Sequence, residues 1–489
     1  MSFDALKQRL SELPLLKIAC CMAIGILLQR LFVVPTLLIL AVLLVTGLGS
    51  IFLHSRVAYL LALTAGGYLV AEIGYRPDAV PYHEQQTLQI RITDDGTPRT
   101  RYTRHEARLE SWTDADDESQ HPNGGRLWLY ADTTLRLSAG MRLSYDAKIY
   151  PFRQDSTFEA TQMTARGYLG RCYLYGYDYY DLLPPSRPTL HQKASRRLET
   201  QLATRSDASA LVRAMTVGDR SDVQPSLREQ YARSGLSHLM ALSGLHTGML
   251  FLVINLLLWW LPLLHRGHRL KHLLSIGAVW LFVAVAGFPV SALRAAVMCT
   301  MLQWALLSSS NYRALNSWAA AAVLLLALRP SWLFDVSFQL SFLAVWAILC
   351  WGLPLCRALH GRFRILNYVT DALLISLVAS FATTPLVAHQ FGTIPLLGVV
   401  INPPAILLAT AIVALGLLLL LFPPLTTLLQ PVVLQLAAWQ NLLAERCAAL
   451  EWASLDVHLS GTATATIYLF FLVLTLAAWC WDRKKSVHL

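Results

Sequence analysis

The residues that could carry chemistry are concentrated at 234–250, which reads SGLSHLMALSGLHTGML. Two histidines, three serines and three glycines stand there, directly before the apolar run 251–260. Polar groups at membrane depth are costly unless they face protein or water, so they mark a site by default. We therefore expect a polar site at the mouth of a membrane span, formed by Ser237, His238, Ser243 and His246.

The remainder of the chain has the composition of a membrane protein. Its 489 residues are 55% apolar with a mean hydropathy of +0.46, and several long runs lack charge. A soluble protein is excluded. The pattern predicts a polytopic α-helical membrane protein of roughly ten to twelve spans, at about 20 apolar residues each.

The net charge of +10 has a simple explanation. Residues 75–200 contain 17 Lys and Arg against 17 Asp and Glu, which leaves 23 and 13 for the rest. That excess gathers in short loops near residues 266–271, 313, 357–364 and 483–485, the pattern of cytoplasmic loops. Topology therefore explains the charge better than a DNA-binding patch does.

Cysteines and cofactor motifs add little. Seven of the eight cysteines lie in or beside apolar runs and are expected to pack, while Cys172 is alone in the polar segment and cannot form a disulfide within it. No Walker-type loop or metal-binding spacing appears, so we predict no cofactor and no metal. The N-terminus is interpreted as a retained anchor.

The chain divides into four parts. The apolar runs within residues 1–75 predict three transmembrane helices. Residues 76–185 change to a period of two, with strand patterns at 88–92, 107–112, 127–130, 141–149 and 167–173 separated by Gly-containing turns. Five short strands in about 100 residues predict a small extracytoplasmic barrel of the OB type. Residues 186–236 are expected to form amphipathic helices on the outer membrane surface. Residues 237–489 are expected to form the transmembrane domain.

An OB fold raises the possibility of single-strand binding through stacked aromatic rings. Tyr168 and Tyr173 belong to a tyrosine-rich segment that runs to Tyr180. The neutral charge balance of the domain favours the alternative that these rings pack on strands or form a membrane-interface belt.

Further polar residues fall on the outer side of the predicted spans. They are Arg294 in the sixth span, Asp335 and Gln339 in the eighth, and Asn402 near a late helix. This convergence on one side indicates a shared site, because scattered structural polar groups would have no reason to lie together. Each also has a structural alternative: Arg294 could pair with Asp335, and Gly244 with Gly248 forms a helix-contact motif.

Several segments resemble the signature of the ComEC family, which forms inner-membrane channels for DNA uptake. They are 214–220 (AMTVGDR), 241–248 (ALSGLHTG), 287–296 (GFPVSALRAA), 335–342 (DVSFQLSF), Phe391-Gly392 and Asn402. Val336 and Ser337 replace the family's usual Pro-Gly. Many members continue into a metallo-β-lactamase-like domain; this chain ends after its last apolar run, so the nuclease attributed to that domain is not expected here.

The resemblance implies a multi-pass protein of the bacterial inner membrane that passes single-stranded DNA into the cytoplasm and is not an enzyme. Residues 76–236 would be extracytoplasmic and the C-terminus cytoplasmic. The polar residues on the outer side would line the channel mouth, with Arg220 and Arg233 just above it. Expected partners are the lipid bilayer, an external DNA receptor, a helicase-like motor and a separate nuclease; the oligomeric state is undetermined. The alternatives are transport of another envelope or small-molecule substrate and, less favoured, intramembrane hydrolysis by Ser243, His246 and Asp219.

Overall fold

The computed structural model describes residues 13–32, 34–74, 82–94, 96–98, 101–114, 120–122, 124–152, 163, 167–184, 188–240, 244–261, 267–307 and 314–486. The chain begins with three apolar helices, continues into a β domain, and returns to helices for its second half. The β-sheet domain and the apolar helices confirm the mixed architecture expected from the sequence.

The three N-terminal helices are α1 (Pro14–Leu31), α2 (Thr36–Phe52) and α3 (Arg56–Gly74). Helices α1 and α3 approach closely because glycines face each other across the contact. A Cβ on Gly25 would stand 2.1 Å from the Thr64 carbonyl oxygen, and one on Gly67 would stand 2.6 Å from that of Met22. Small residues at such contacts let helix backbones meet in a membrane.

The β domain contains β1 (Gln85–Ile92), β2 (Thr97–Pro98), β3 (Tyr102–Asp114), β4 (Gln120–Pro122), β5 (Arg126–Asp132), β6 (Arg142–Lys148), β7 (Tyr168–Leu174) and β8 (Tyr180–Leu183). The sheet order is β7–β5–β3–β1–β6–β8, and β5 pairs with β7 in parallel. Each of the five predicted strands overlaps an observed one.

The sheet curls back on itself through one further contact. Beyond the end of β6, Tyr150 forms an antiparallel bridge with Arg171 of β7, with N–O distances of 2.8 Å in both directions. Alternate residues of the long strands point inward and are fully buried, among them Leu88, Ile90 and Leu129. The period-two pattern in the sequence therefore encodes an apolar interior and an outward polar face.

Three short helices join the two halves: α4 (Leu190–Leu202), α5 (Asp207–Thr216) and α6 (Pro225–Arg233). Capping boxes begin α4 at Thr189 and α5 at Ser206, and Pro225 opens α6. Helix α5 differs from the surface helix expected for 186–236. Its residues from Ser209 to Thr216 are all buried, because it packs between two long apolar helices of the C-terminal half.

The C-terminal half consists of α7 (Ser237–Met240), α8 (Gly244–Leu257), α9 (Gly267–Val285), α10 (Val290–Leu307), α11 (Ala314–Leu328), α12 (Val336–Ala347), α13 (Leu353–Leu359), α14 (Arg364–Phe391), α15 (Gly398–Leu421), α16 (Thr426–Ala448) and α17 (Gly461–Ser486). A π-helical turn, Ile348–Gly352, connects α12 to α13. The helices that bury α5 are α15 and α16.

Within the described ranges, five helices are long and apolar enough to cross a membrane: Pro14–Leu31, Arg56–Gly74, Val336–Leu359, Leu366–Phe391 and Gly398–Leu421. Shorter apolar helices include Thr36–Phe52 and Ala314–Leu328. These are consistent with several membrane passes, while the total of roughly ten to twelve spans stays a prediction.

Residues 393–404, which contain three prolines, form a short strand followed by the start of a helix. Strand β9 (Thr393–Pro395) pairs antiparallel with β10 (Ser454–Asp456), and α15 starts at Gly398. Pro403 and Pro404 lie inside this helix without ending it. Both prolines lie in the second turn, where each removes one backbone N–H from the i→i−4 hydrogen bonds of the helix.

The glycine contact between α1 and α3 can be tested with two neighbouring residues. Gly67→Ala places a methyl group 2.6 Å from the Met22 carbonyl, so we expect a loss of about 1–3 kcal/mol in the free energy of unfolding. Gly66→Ala has open space around the new atom and serves as the control. Thermal denaturation of the detergent-solubilised protein measures both; equal melting temperatures would contradict the close contact.

Candidate functional site

The polar stretch starts at a sharp turn after α6. Gly235 has a φ of 79°, and a side chain there would also meet Pro395, 2.8 Å away, and Gly398, 3.3 Å away. The turn therefore brings α7 beside the start of α15. Ser237 and His238 of α7 are exposed, and Nδ1 of His238 lies 3.2 Å from the Gly235 carbonyl oxygen.

The start of α8 packs against the start of α10. A Cβ on Gly244 would lie 3.4 Å from the Ala295 Cβ and 3.5 Å from the Ser291 carbonyl oxygen. His246 and Arg294, each within the first two turns of these helices, are both buried. Ser243 lies outside the described residues.

The two glycines of the predicted helix-contact motif have different surroundings. Gly244 makes the close approach to α10, whereas no described atom lies within 4 Å of a Cβ placed on Gly248. The structure therefore gives no support to the packing role expected for Gly248. Of the two glycines, only Gly244 must be small for α8 and α10 to approach this closely.

Asp335, Gln339 and Asn402 lie at the beginnings of other helices. Asp335 is buried and caps α12, since its carboxylate accepts a hydrogen bond of 3.1 Å from the Phe338 backbone N–H. Gln339 donates from Nε2 to the Leu333 carbonyl oxygen at 2.9 Å. Asn402 is half-buried in the second turn of α15, a helix that contacts α8.

A large cavity lies between the β domain and the helical half. Its volume is about 1130 Å³, and its walls come from β1, β3, β5 and β7, from α4, from the loop after α5, and from the turns before α10 and after α11. The described residues of the predicted helix site are not part of its lining. The cavity nevertheless lies on the side where α10 and α12 begin, because the turns preceding both helices form its floor.

Arginine dominates the charge of this cavity. Six arginines stand in the lining against three acids; the arginines are Arg91, Arg108, Arg126, Arg196, Arg220 and Arg329, and the acids are Asp94, Glu106 and Asp219. Arg126 lies 3.5 Å from Glu106, and Arg91 lies 3.7 Å from Glu110 beside the lining. The excess of positive charge remains, and low-dielectric walls concentrate its field.

Arg329 shows how closely these charges are gathered. It follows α11 in the helical half and reaches the β domain, where its Nη1 would lie 3.2 Å from a Cβ on Gly167. Partial burial and the positive charges of Arg126 and Arg108 lower its pKa. Three guanidinium groups that repel one another form a region where an anion would be stabilised.

Asp219 belongs to a buried network and is not directed at the histidines. Burial alone would raise the pKa of its carboxyl group, but the Arg213 charge and hydrogen bonds from Ser195 and Ser221 lower that pKa to about 2. The carboxylate is thus already ion-paired and hydrogen-bonded to these neighbours. It fixes the loop after α5 beneath the cavity, which does not favour its role as orienter in a hydrolase.

Tyr168 and Tyr173, the predicted single-strand contacts of β7, lie at different places. Tyr168 lines the cavity, and the Arg126 guanidinium stands 6.0 Å from its ring centroid. Tyr173 faces outward and stacks on Tyr130 at 5.4 Å. Of the two predicted basic contacts, Arg220 lines the cavity, while Arg233 is exposed at the end of α6 and is not in the lining.

Sequence reasoning missed Arg108, Arg126 and Arg329. A signal was present for the first two: strand alternation with buried Ala107, Leu109 and Leu127 requires both arginines to face outward. Arg329 carries no such signal, because only the fold brings the end of α11 to the β domain.

Residues 215–484, more than half of the chain, match the competence protein family, so the chain belongs to that family. This confirms the resemblance drawn from the sequence motifs. The chain is a multi-pass membrane protein, as its apolar helices indicate.

Two relatives match part of the chain. The chain is 26% identical over 196 residues to ComE operon protein 3 of Bacillus subtilis (strain 168), covering 40% of this chain and 24% of that protein. It is 29% identical over 212 residues to competence protein ComA of Neisseria gonorrhoeae, covering 41% of this chain and 28% of that protein. The matches therefore span about a quarter of the length of these relatives. No solved structure matches the chain significantly.

The Arg213–Asp219 pair should dominate the acid stability of this region. The side chains are 6% and 12% exposed, so Asp219→Asn leaves a buried cation underpaired and should cost about 3–5 kcal/mol of unfolding free energy. Because the folded pKa is about 2 and the unfolded one about 3.9, the wild-type advantage is complete above about pH 5 and declines as pH falls toward 2. Thermal unfolding from pH 7 to pH 3 measures it.

Asp222→Asn is the control for this prediction. Asp222 contacts the same guanidinium but is 45% exposed, so its removal should cost about 1 kcal/mol or less. Equal effects of the two substitutions would show that Asp219 is not the buried partner that fixes the loop.

Proposed function

We propose that this protein passes single-stranded DNA across the bacterial inner membrane into the cytoplasm during natural transformation. Membership of the competence protein family supports a role in DNA uptake. The arginine-lined cavity between the β domain and the helices is the observation that supports a path for DNA through this protein. A polyanion requires a wet lining with positive potential, and such a lining attracts it in a salt-dependent manner.

In this proposal the β domain is a small OB-like barrel placed over the helical half. Two features support that interpretation: the parallel pairing of β5 with β7, and the Tyr150–Arg171 bridge that joins the end of β6 to β7. Together they give a five-stranded circuit of β1, β3, β5, β7 and β6. OB folds commonly bind oligonucleotides.

From the cavity the strand would continue to the helix starts that hold the predicted mouth residues. The buried side chains of His246 and Arg294 stand where α8 packs on α10, and the exposed His238 lies beside the start of α15. Donors of this kind, with Ser237 and Ser243, would bind phosphates in passing. Buried cations inside a helical bundle are expensive and are usually kept for function.

The proposal places residues 76–236 outside the cytoplasm and the C-terminus inside it. It requires an external supply of DNA, an energy source on the cytoplasmic side, and a nuclease if duplex DNA is the starting material. A DNA receptor, a helicase-like motor and a separate nuclease are the partners proposed for these tasks.

The cavity arginines provide the test. Replacing Arg108, Arg126 and Arg329 together by Gln should reduce internalised DNA by at least about tenfold, since polyanion binding weakens with each phosphate that is no longer neutralised. The measurement is uptake of labelled DNA into the cytoplasm of transformable cells that carry only the variant, with its membrane level determined in parallel.

The control variant changes three exposed arginines outside the cavity lining, Arg136, Arg197 and Arg205, to Gln. It removes the same number of positive charges and should import DNA like the wild type. Wild-type import by the cavity variant at normal membrane level would exclude this cavity as the path. Absence of import in the wild type would favour transport of another substrate.

A further inference from the structure

A continuous row of aromatic rings crosses the outer face of the β domain. We call it the aromatic ladder and define it by six residues in order of contact: Tyr177, Tyr175, Tyr173, Tyr130, Trp128 and Tyr168. Successive ring centroids are 5.4, 6.2, 5.4, 6.4 and 5.6 Å apart. The ladder includes both tyrosines predicted from the sequence and extends well beyond them.

The strand registers explain why the rings line up. In β5, Trp128 and Tyr130 face outward because Leu127 and Leu129, which alternate with them, are buried. Tyr130 pairs with Tyr173 of β7 across the parallel ladder. Outward residues two apart on a strand are separated by roughly 6.6 Å, a spacing at which extended chains of stacked groups can follow the sheet.

Arginines alternate with the rings on the same face. Arg104 of β3 pairs with Tyr130 and holds its guanidinium 4.6 Å from the Trp128 ring centroid. Arg171 of β7 pairs with Trp128, and Arg126 lies next to Tyr168. Glu106 and Asp132 are the acids of this face on β3 and β5, and Asp178 accepts a hydrogen bond from the Tyr175 backbone N–H at the far end of the row. The arginines therefore outnumber the acids around Trp128 and Tyr168, toward the cavity.

The two ends of the ladder differ in a way that gives it a direction. Tyr177 is 84% exposed and Tyr175 is 48% exposed, so this end is open to solvent. At the other end Tyr168 lines the cavity together with Arg126 and Arg108. A strand lying on the ladder would therefore be led from solvent into the arginine-lined cavity.

We infer that the aromatic ladder with Arg104, Arg171 and Arg126 is a binding surface for single-stranded DNA that feeds the cavity, an inference that rests on the proposed function. Bases stack on the exposed rings and phosphates contact the arginines. Duplex DNA is excluded from this mode because its bases are already stacked on each other. Stacking accepts any sequence, as a surface for unselected DNA requires.

Simple strand packing and a membrane-interface belt are the competing explanations for the rings. Neither accounts for arginines interleaved at alternate positions or for a row that ends inside a basic cavity. Packing also gives no reason for the exposed Tyr175 and Tyr177 rings to stack with an interplanar angle of 2° beyond the last buried strand residue.

Binding by the purified full chain in detergent tests the inference directly. The probe is fluorescein-labelled oligothymidylate of about 20 nucleotides, longer than the roughly 4–16 nucleotides that an OB fold covers. Tyr175→Ala with Tyr177→Ala should weaken binding by roughly 5- to 100-fold in fluorescence anisotropy. The Phe variants of both residues should bind like the wild type, because they retain the rings. Both side chains are exposed, so the fold should tolerate these changes.

Tyr179→Ala is the matched control. Tyr179 is 83% exposed, lies two residues from Tyr177 and donates its hydroxyl to Asp181 instead of joining the ladder. Its removal should leave the affinity unchanged. Equal weakening by Tyr179→Ala, or wild-type affinity of the Tyr175/Tyr177 double variant, would overturn the inference.

Two further probes separate the roles of rings and charges. An abasic oligonucleotide with the same number of phosphates should bind more weakly than oligothymidylate and should not respond to Tyr175→Ala with Tyr177→Ala. Arg104→Gln with Arg171→Gln should flatten the dependence of log affinity on log salt by about 0.7 for each phosphate that the protein no longer neutralises. Equal binding of abasic and thymidylate probes would show that no stacking occurs.

The outcome is distinguishable from that of the proposed function. Binding to the ladder is measured without transport, so it can be present in a protein that imports nothing. Conversely, wild-type import by the Tyr175/Tyr177 double variant, despite weakened binding, would remove the ladder from the path while leaving the arginine-lined cavity in place.

Discussion

The burial of α5 is the constraint on which the arrangement of the site depends. Leu211, Val212 and Met215 are fully enclosed between α15 and α16, so this short helix cannot leave the bundle without exposing them. The Arg213–Asp219 pair then ties the following loop back to α5. Because that loop carries Arg220 into the cavity, the apolar core of the helical half determines where the basic floor lies. The packing of α5 thus determines the position of Arg220, and a loss of that packing would displace this charge from the cavity.

The distribution of charge explains why composition is a poor guide to the surface of the β domain. Residues 75–200 are balanced in number, and the balance argued against a nucleic-acid surface. The inward residues of the strands are apolar, so their charges all lie on the outward surface, but the sheet curls and different strands present these charges to different sides of the domain. Arg104, Arg126 and Arg171 share one outward face, whereas Arg142 pairs with Glu110 at 2.6 Å elsewhere. A count along the chain averages over all sides of the domain and over its loops, so it hides a surface that is positive locally.

The sequence predicted the positions of helices and strands better than the contacts between them. Strand positions, the apolar helices and the family followed from periodicity, hydropathy and motifs, because these are local properties that each segment carries by itself. The surface position expected for 186–236 was wrong for α5, since its apolar residues were outnumbered by the charges of α4 and α6 in the same window. The packing role of Gly248 was unsupported for a similar reason: a spacing motif does not state which residue faces a neighbour. The cavity could not be predicted, because Arg329 and Arg126 are brought together only by long-range contacts.

The position of the β domain relative to the helices decides whether the aromatic ladder and its arginines lead into the arginine-lined cavity. Partial burial and the positive charge of Arg126 on β5 lower the pKa of Arg329, which requires the sheet to lie directly against the turn after α11. Gly167 permits that approach, since a side chain there would meet the Arg329 guanidinium at 3.2 Å. The outward face that begins at Tyr177 thus ends where the helical half contributes its own arginine. A β domain rotated relative to the helices would present the same residues and the same fold, yet its ladder would lead away from the helices. The proposed function depends on that orientation more than on any single residue of the β domain.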